Sequence, residues 1–168
     1  MAPLTVFFVG AKGIGKTALM NTLTLTKSSD IGPTLGVEMR SWSFKADGRI
    51  KKFRLWDASG NNIYANLLLH DIQHADIVVI CFDTRYEEDL IPLKHWMTVM
   101  EQSSTKKTII FYGIIFDGEI RKVMPADIYR IADHAMKRRN LRDVLVAEGR
   151  LHDRGPIYNA LFVASRHI

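Results

Sequence analysis

Cysteine is nearly absent from this chain: Cys81 stands alone among 168 residues. No disulfide framework can form within it, and a reducing compartment is the expectation. Cys81 lies in the apolar run from Ile77 to Phe82 and reads as a buried strand residue. Long hydrophobic runs are missing as well, and none approaches the ~18 residues of a membrane-spanning helix. No basic n-region or cleavage site follows Met1, so no secretory leader is read. The sequence does not end in cysteine, which excludes prenylation on the residues given. Repeats, low-complexity segments and linkers are absent too. The expectation is one domain over residues 1–168.

What is present is ordinary for a globular chain, at 47% hydrophobic and 24% charged. The net charge is +5, with Lys137, Arg138, Arg139 and Arg142 as a visible basic group. Such a group can touch nucleic acid or an anionic membrane. A solvated helix end explains it as well, since cations suit that end of the dipole. No nucleic-acid partner is expected.

Strand and helix patterns alternate, which argues for an α/β sheet with helices on both faces. Leu4–Val9 reads as a strand, Thr17–Leu25 as a helix and Lys27–Gly36 as a polar loop. Glu38–Lys45 and Lys51–Trp56 flank a turn containing Asp47-Gly48, the signature of a β-hairpin. Ile77–Asp83 and Thr108–Ile115 read as buried strands, and Val144–Ala147 as a last strand. Leu90–Gln102 carries Leu90, Leu93, Met97 and Met100 at helical spacing. Pro125–Arg139 places Ile128, Ile131, Ala132, Ala135 and Met136 on one face, and Pro156–Ile168 closes the chain as a helix.

Residues 10–17 read GAKGIGKT, between the first strand and the first helix. This fits G-x-x-x-x-G-K-[ST], a loop whose backbone N–H groups converge on phosphate oxygens. The nucleotide-binding set runs through Ala11, Lys12, Gly13, Ile14, Gly15, Lys16, Thr17 and Ala18. Lys16 would neutralise the β- and γ-phosphates, and the Thr17 hydroxyl would ligate Mg²⁺. A glycine-rich turn without a ligand is the plainer alternative. Asp57, at the end of a strand, can hold Mg²⁺ through water. Gly60 lets a backbone N–H approach a γ-phosphate. Thr34 can supply a second hydroxyl to the metal, so the metal set is Thr17, Thr34 and Asp57.

Residues 33–38, PTLGVE, and 53–60, FRLWDASG, carry a resemblance. With the phosphate loop they make the chain similar to Ras-superfamily small GTPases, and most to the Rab branch. The resemblance covers nearly the whole chain in element order and is specific from about residue 4 to residue 83. It implies a P-loop NTPase fold with a six-stranded, mostly parallel sheet and five helices. It implies Mg²⁺-dependent GTP/GDP cycling, with switch loops near residues 28–38 and 58–74. It also implies effector or regulator proteins at the switch and interswitch surface, and a role in vesicle trafficking or related signalling. The expected location is cytoplasmic or peripheral on an endomembrane, through a partner or a lipidated tail outside these residues.

Two ends depart from the family. Guanine is read in the family by N-K-x-D, which matches Ile114, Ile115, Phe116 and Asp117 here. Asp117 can still accept from guanine N1 and N2. Glu148, Gly149 and Arg150 match the S-A-K motif; Gly149 can present its N–H to guanine O6, and the Arg150 stem can pack nearby. No aromatic stands between Thr26 and Ile31 to meet the base. Losing two base contacts costs about 3–5 kcal/mol, or roughly 10²–10⁴ in affinity.

At the catalytic end, Gly60 is followed by Asn61 where the family has a water-orienting glutamine. Lys12 stands where a very small residue is usual. It can crowd an arginine finger, lie over the γ-phosphate or extend into solvent. Slow hydrolysis is expected. Trp42, Phe44 and Trp56 are candidates for an exposed partner-binding patch, although strand alternation allows only part of them to be exposed. His70 and His74 can approach a nucleotide-bound water, with surface or helix-packing roles as the alternative. Three readings follow: a slow GTP/GDP switch, an interaction module with weak or no nucleotide binding, and a P-loop NTPase that also takes ATP.

Overall fold

The computed structural model describes residues 2–26, 37–58, 70–103, 105–137 and 140–168. Six strands form one sheet: β1 Leu4–Val9, β2 Val37–Ala46, β3 Arg49–Ala58, β4 Ile77–Asp83, β5 Lys107–Ile114 and β6 Leu141–Gly149. Their order is β2-β3-β1-β4-β5-β6, parallel except for the β2–β3 pair. Four α-helices accompany it among the described residues: α1 Lys16–Thr24, α2 Leu90–Glu101, α3 Pro125–Met136 and α4 Arg154–Ala164. Residues 70–72 are a fifth α-helical segment, and Glu87–Asp89 form a single 3-10 turn. This is the α/β architecture expected.

The continuous apolar run of β4 lies between β1 and β5, and each of its residues is buried. One face of the sheet packs Leu19, Met20 and Leu23 of α1 with Ile157 and Leu161 of α4. The other packs Leu93 and Met97 of α2 with Ile128 and Ala132 of α3. In the hairpin, Asp47 and Gly48 both have positive φ, 51° and 74°, as a two-residue primed turn requires. Pairing therefore runs to the tip, with Ala46 opposite Arg49.

Several boundaries and faces differ from expectation. β6 extends well beyond Val144–Ala147, because β5 offers it a full-length partner from Lys107 to Ile114. α4 starts at Arg154, where the Asp153 side chain accepts from the Gly155 N–H, and it ends at Ala164. Met136 is exposed rather than core-facing. The exposed aromatic patch is overturned for Trp42 and Phe44. Both are buried, forming a cluster with Phe53, and Tyr158 and Phe162 of α4 lie over it. Trp56 points to the opposite face and stacks on Phe7 with ring centroids 5.5 Å apart. The basic group is also less free than its sequence suggests, since Lys137 pairs with Asp133 at 3.1 Å.

Lys107, at the start of β5, is fully buried. Its ammonium donates to Gln73 O at 2.6 Å, Ala75 O at 3.0 Å and Thr105 Oγ1 at 3.0 Å. It thereby ties the segment after residues 70–72 to the sheet. Replacing Lys107 with Met keeps the stem but orphans two carbonyls, and should destabilise the fold by about 1–3 kcal/mol in urea. Burial lowers the Lys107 pKa from 10.5 to about 8. Between those values the unfolded chain holds a proton that the folded chain has released. This group therefore makes stability rise with pH across that window. Cys81, pushed up to about 12 by burial, acts in the opposite sense above pH 9. The difference between wild type and Lys107→Met, measured by urea midpoints from pH 7 to 10 (roughly the span of these titrations), isolates the lysine.

Candidate nucleotide site

The candidate residues gather at the carboxyl ends of the parallel strands, where open α/β sheets bind ligands. β1 ends at Val9 and runs into the phosphate loop; β5 ends before Asp117; β6 ends at Gly149. Gly10 (φ 144°) passes so close to β4 that an added Cβ would stand 2.4 Å from Cys81 O. Gly15 (φ 99°) caps α1 from the left-handed region, with the Leu151 side chain packed on it. These two positions admit glycine alone, so the loop's path follows from its composition.

Lys16 is buried, and its ammonium donates to Gly10 O at 3.0 Å and Ala11 O at 2.7 Å. Burial lowers its pKa, opposed by the nearby charge of Asp57. The Thr17 hydroxyl donates to Asp57 Oδ2 in a short hydrogen bond. Asp57 is fully buried beside Phe8 of β1 and Glu38 of β2. Burial pushes its carboxyl pKa up, against the Thr17 bond and the Lys16 charge. Lys16 and Thr17 are thus brought together with Asp57, which lies 40 residues beyond Thr17 in sequence. A hydroxyl and a carboxylate are hard oxygen donors of the kind Mg²⁺ takes in company with phosphate oxygens. Among the described residues no group of three or more His, Cys, Asp or Glu could hold a metal by itself.

Lys12 is exposed and makes no hydrogen bond or ion pair among the described residues. Ala11 and Ala18 are half-buried, Gly13 is exposed and Ile14 is buried against Gly10. Thr34, Gly60 and Asn61 lie outside the described residues. His70 and His74 have rings 5.6 Å apart, and the only carboxylate paired with either among the described residues is Asp71, 3.6 Å from His70 Nδ1.

At the base end, Ile114 is fully buried in the core, so its side chain is withdrawn from any ligand. The Ile115 N–H donates to Gly149 O at 3.0 Å and joins the two loops. Arg150 Nε donates to Asp117 Oδ1 at 2.5 Å. The residue expected to read guanine is therefore paired with Arg150, whose stem remains able to pack nearby. Glu148 is engaged too, in a two-pronged pair with Arg121. Arg85 lies over the Phe116 ring at 3.8 Å from its centroid and bonds Asp83 at 2.7 Å. Arg85, Arg121 and Leu151 were not anticipated; no spacing marks them, since each acts across loops far apart in sequence.

Residues 5–117 match the family described as Ras of Complex, Roc, domain of DAPkinase, which is more than half of the chain. The chain belongs to the Roc/Ras superfamily of GTPase domains. It is similar to Ras-related protein Rab-18 of Caenorhabditis briggsae, 27% identical over 111 residues, covering 66% of this chain and 55% of that protein. It is similar to Rab-18-B of Danio rerio at 23% over 126 residues, covering 73% and 62%. Rab-7B of Dictyostelium discoideum is 26% identical over 118 residues, covering 70% and 58%. The chain therefore spans little more than half the length of these curated relatives. It is a Rab-like member of the superfamily.

The loop geometry of this GTPase domain makes a stability prediction. Gly10→Ala should lower stability by about 2–3 kcal/mol, since the backbone oxygen of Cys81 blocks the new Cβ. Gly13→Ala, at φ 78° with nothing within 4 Å, should cost only about 1 kcal/mol. Urea unfolding of the two variants checks the difference.

Proposed function

We propose that this GTPase domain is a Mg²⁺-dependent GTP/GDP switch that hydrolyses GTP slowly. The observation carrying this reading is the convergence of Lys16, Thr17 and buried Asp57 at the phosphate loop. When bound, Mg²⁺ would neutralise charge between the β- and γ-phosphates. Thr17 and Asp57 would hold it, with Thr34 as a further ligand. Lys16 would trade its two loop carbonyls for phosphate oxygens, and the backbone N–H groups from Ala11 to Ala18 would face the triphosphate. Asn61 would orient the attacking water from one methylene less reach than glutamine, beside Gly60. The switch and interswitch surface would receive effectors or regulators in vesicle trafficking or related signalling, on the cytoplasmic side of an endomembrane. Residues 1–168 would act as one domain.

Guanine recognition in this proposal rests on Asp117, Gly149 and the flanking Glu148 and Arg150. The Asp117–Arg150 pair is exposed, and such pairs are worth about 0–1 kcal/mol. A guanine that donates N1–H and N2–H to Asp117 can displace Arg150 at little cost.

A second reading, an interaction module with weak or no nucleotide binding, is favoured by two observations. Ile114 is sealed in the core and Asp117 is already paired. Two experiments separate the readings. Lys16→Ala should abolish Mg²⁺-GTP binding in calorimetry, and unchanged affinity in that variant rejects the switch. Asp117→Ala should weaken GTP about 10–100-fold while leaving any ATP affinity unaltered. Equal loss for both nucleotides would mean that Asp117 supports the loop and does not read the base. A wild-type chain that ignores GTP and Mg²⁺ establishes the interaction module.

A further inference from the structure

The chain's positive charge is concentrated. Residues 45–54 hold five cations, Lys45, Arg49, Lys51, Lys52 and Arg54, against one anion, Asp47, and carry most of the net +5. Strand pairing fixes their directions. Met39, Ser41, Ser43 and Lys45 of β2 stand opposite Trp56, Arg54, Lys52 and Ile50 of β3. Residues directly opposite share a face, and this face is turned away from the buried Trp42, Phe44 and Phe53. Lys45, Lys52 and Arg54 are exposed on it. It carries no carboxylate: Glu38 and Asp57 point to the other side at the far end of the hairpin, and Asp47 lies in the turn.

Cations elsewhere are mostly engaged. Arg85, Arg121, Arg150 and Lys137 each have a carboxylate partner. Lys51, on the opposite face, donates to Ser165 O at 2.9 Å. Lys45, Arg49, Lys52 and Arg54 have no hydrogen-bond or ion-pair partner among the described residues. At the tip, Ile50 is 63% exposed, opposite Lys45 and on the same face as Lys52, while Arg49 lies on the other side.

We propose that this face of the β2–β3 hairpin docks on an anionic lipid surface, with Ile50 entering the headgroup layer. Charge complementarity carries the proposal: unpaired cations on a flat sheet face, bracketing an exposed aliphatic side chain, match a plane of mobile anionic headgroups with apolar chains beneath. The contact is made by the folded protein itself and adds to any lipid tail; because it uses the interswitch hairpin, a partner bound on that face would compete with it. Each cation within reach of the leaflet is worth about fivefold in partitioning.

The test is sedimentation of the chain, residues 1–168, with sucrose-loaded vesicles. One set is phosphatidylcholine alone, and the other contains about 30% phosphatidylserine. Binding to the anionic set alone, weakening with salt, is expected. Lys52→Glu with Arg54→Glu should reduce it at least ~25-fold, two cations at about fivefold each. Lys94→Glu with Lys122→Glu changes net charge equally at exposed sites elsewhere and should leave most of the binding intact. Ile50→Ser should weaken the salt-resistant fraction. Absence of binding to anionic vesicles at low salt overturns the proposal. So does equal loss in the two double variants, which would make the effect one of net charge. Retention on a polyglutamate matrix that depends on Lys52 and Arg54, without vesicle binding, assigns the face to an acidic protein segment instead and also overturns it.

Discussion

The buried carboxylate of Asp57 is the constraint around which this molecule is arranged. A carboxylate out of water is costly unless its oxygens are met. Thr17 Oγ1 donates to one of them, and the Lys16 ammonium acts on the charge from nearby. Both residues belong to the first turn of α1, and Asp57 belongs to β3, two positions along the sheet from β4. Meeting the carboxylate therefore pins the start of α1 against the sheet and draws the phosphate loop over the end of β1. The loop can follow that path because Gly10 clears Cys81 O and Gly15 takes a left-handed conformation. The polar centre and the backbone geometry are two sides of one requirement.

The two ends of the site are held by different physics. At the phosphate end, Lys16 and Asp57 are buried and their contacts are short, so the start of α1 and the end of β3 are held together. At the base end, Asp117 and Arg150 are largely exposed, and their pairing in water adds little stability. What it does is shape a loop that already leans on β6 through Ile115 N–H and Gly149 O. Ile114 shows why the base end differs. A polar side chain there would be surrounded by the core, whereas isoleucine packs without an unmet hydrogen bond. The position is given over to packing, and in the proposed function any base contact would fall to groups on the rim.

This division explains what could be read from the sequence. The phosphate loop and the hairpin turn were legible because their physics is local: spacing, glycines and an Asp-Gly pair determine backbone conformation within a few residues. The sheet architecture followed from alternating strand and helix patterns. Asp117–Arg150, Arg121–Glu148 and the lysine at 107 were not legible, because each contact joins residues separated by a whole element. The exposed patch expected at Trp42 and Phe44 failed for another reason. Alternation says that Trp42 and Phe44 share a side and that neighbouring residues do not. It does not say which side a helix covers. Only the placement of Tyr158 and Phe162 of α4 over the β2–β3 face decides that.

The same aromatic anchor bears on the basic face. With Trp42, Phe44 and Phe53 fixed beneath α4, the pleat turns Lys45, Lys52 and Arg54 outward. A competing explanation is protection of a sheet edge, for which lysine is a common device. Edge protection places charge on the edge strand itself, which here is β2. Yet on this face β2 contributes only one cation, Lys45, near the turn; its outward positions in the middle are Ser41 and Ser43, and the cations opposite them, Arg54 and Lys52, are on β3, one strand in. Charge set back from the edge does little to block strand addition. It does build a continuous positive face across two strands, ending in an exposed isoleucine. That placement fits recognition of an anionic plane better than defence of an edge.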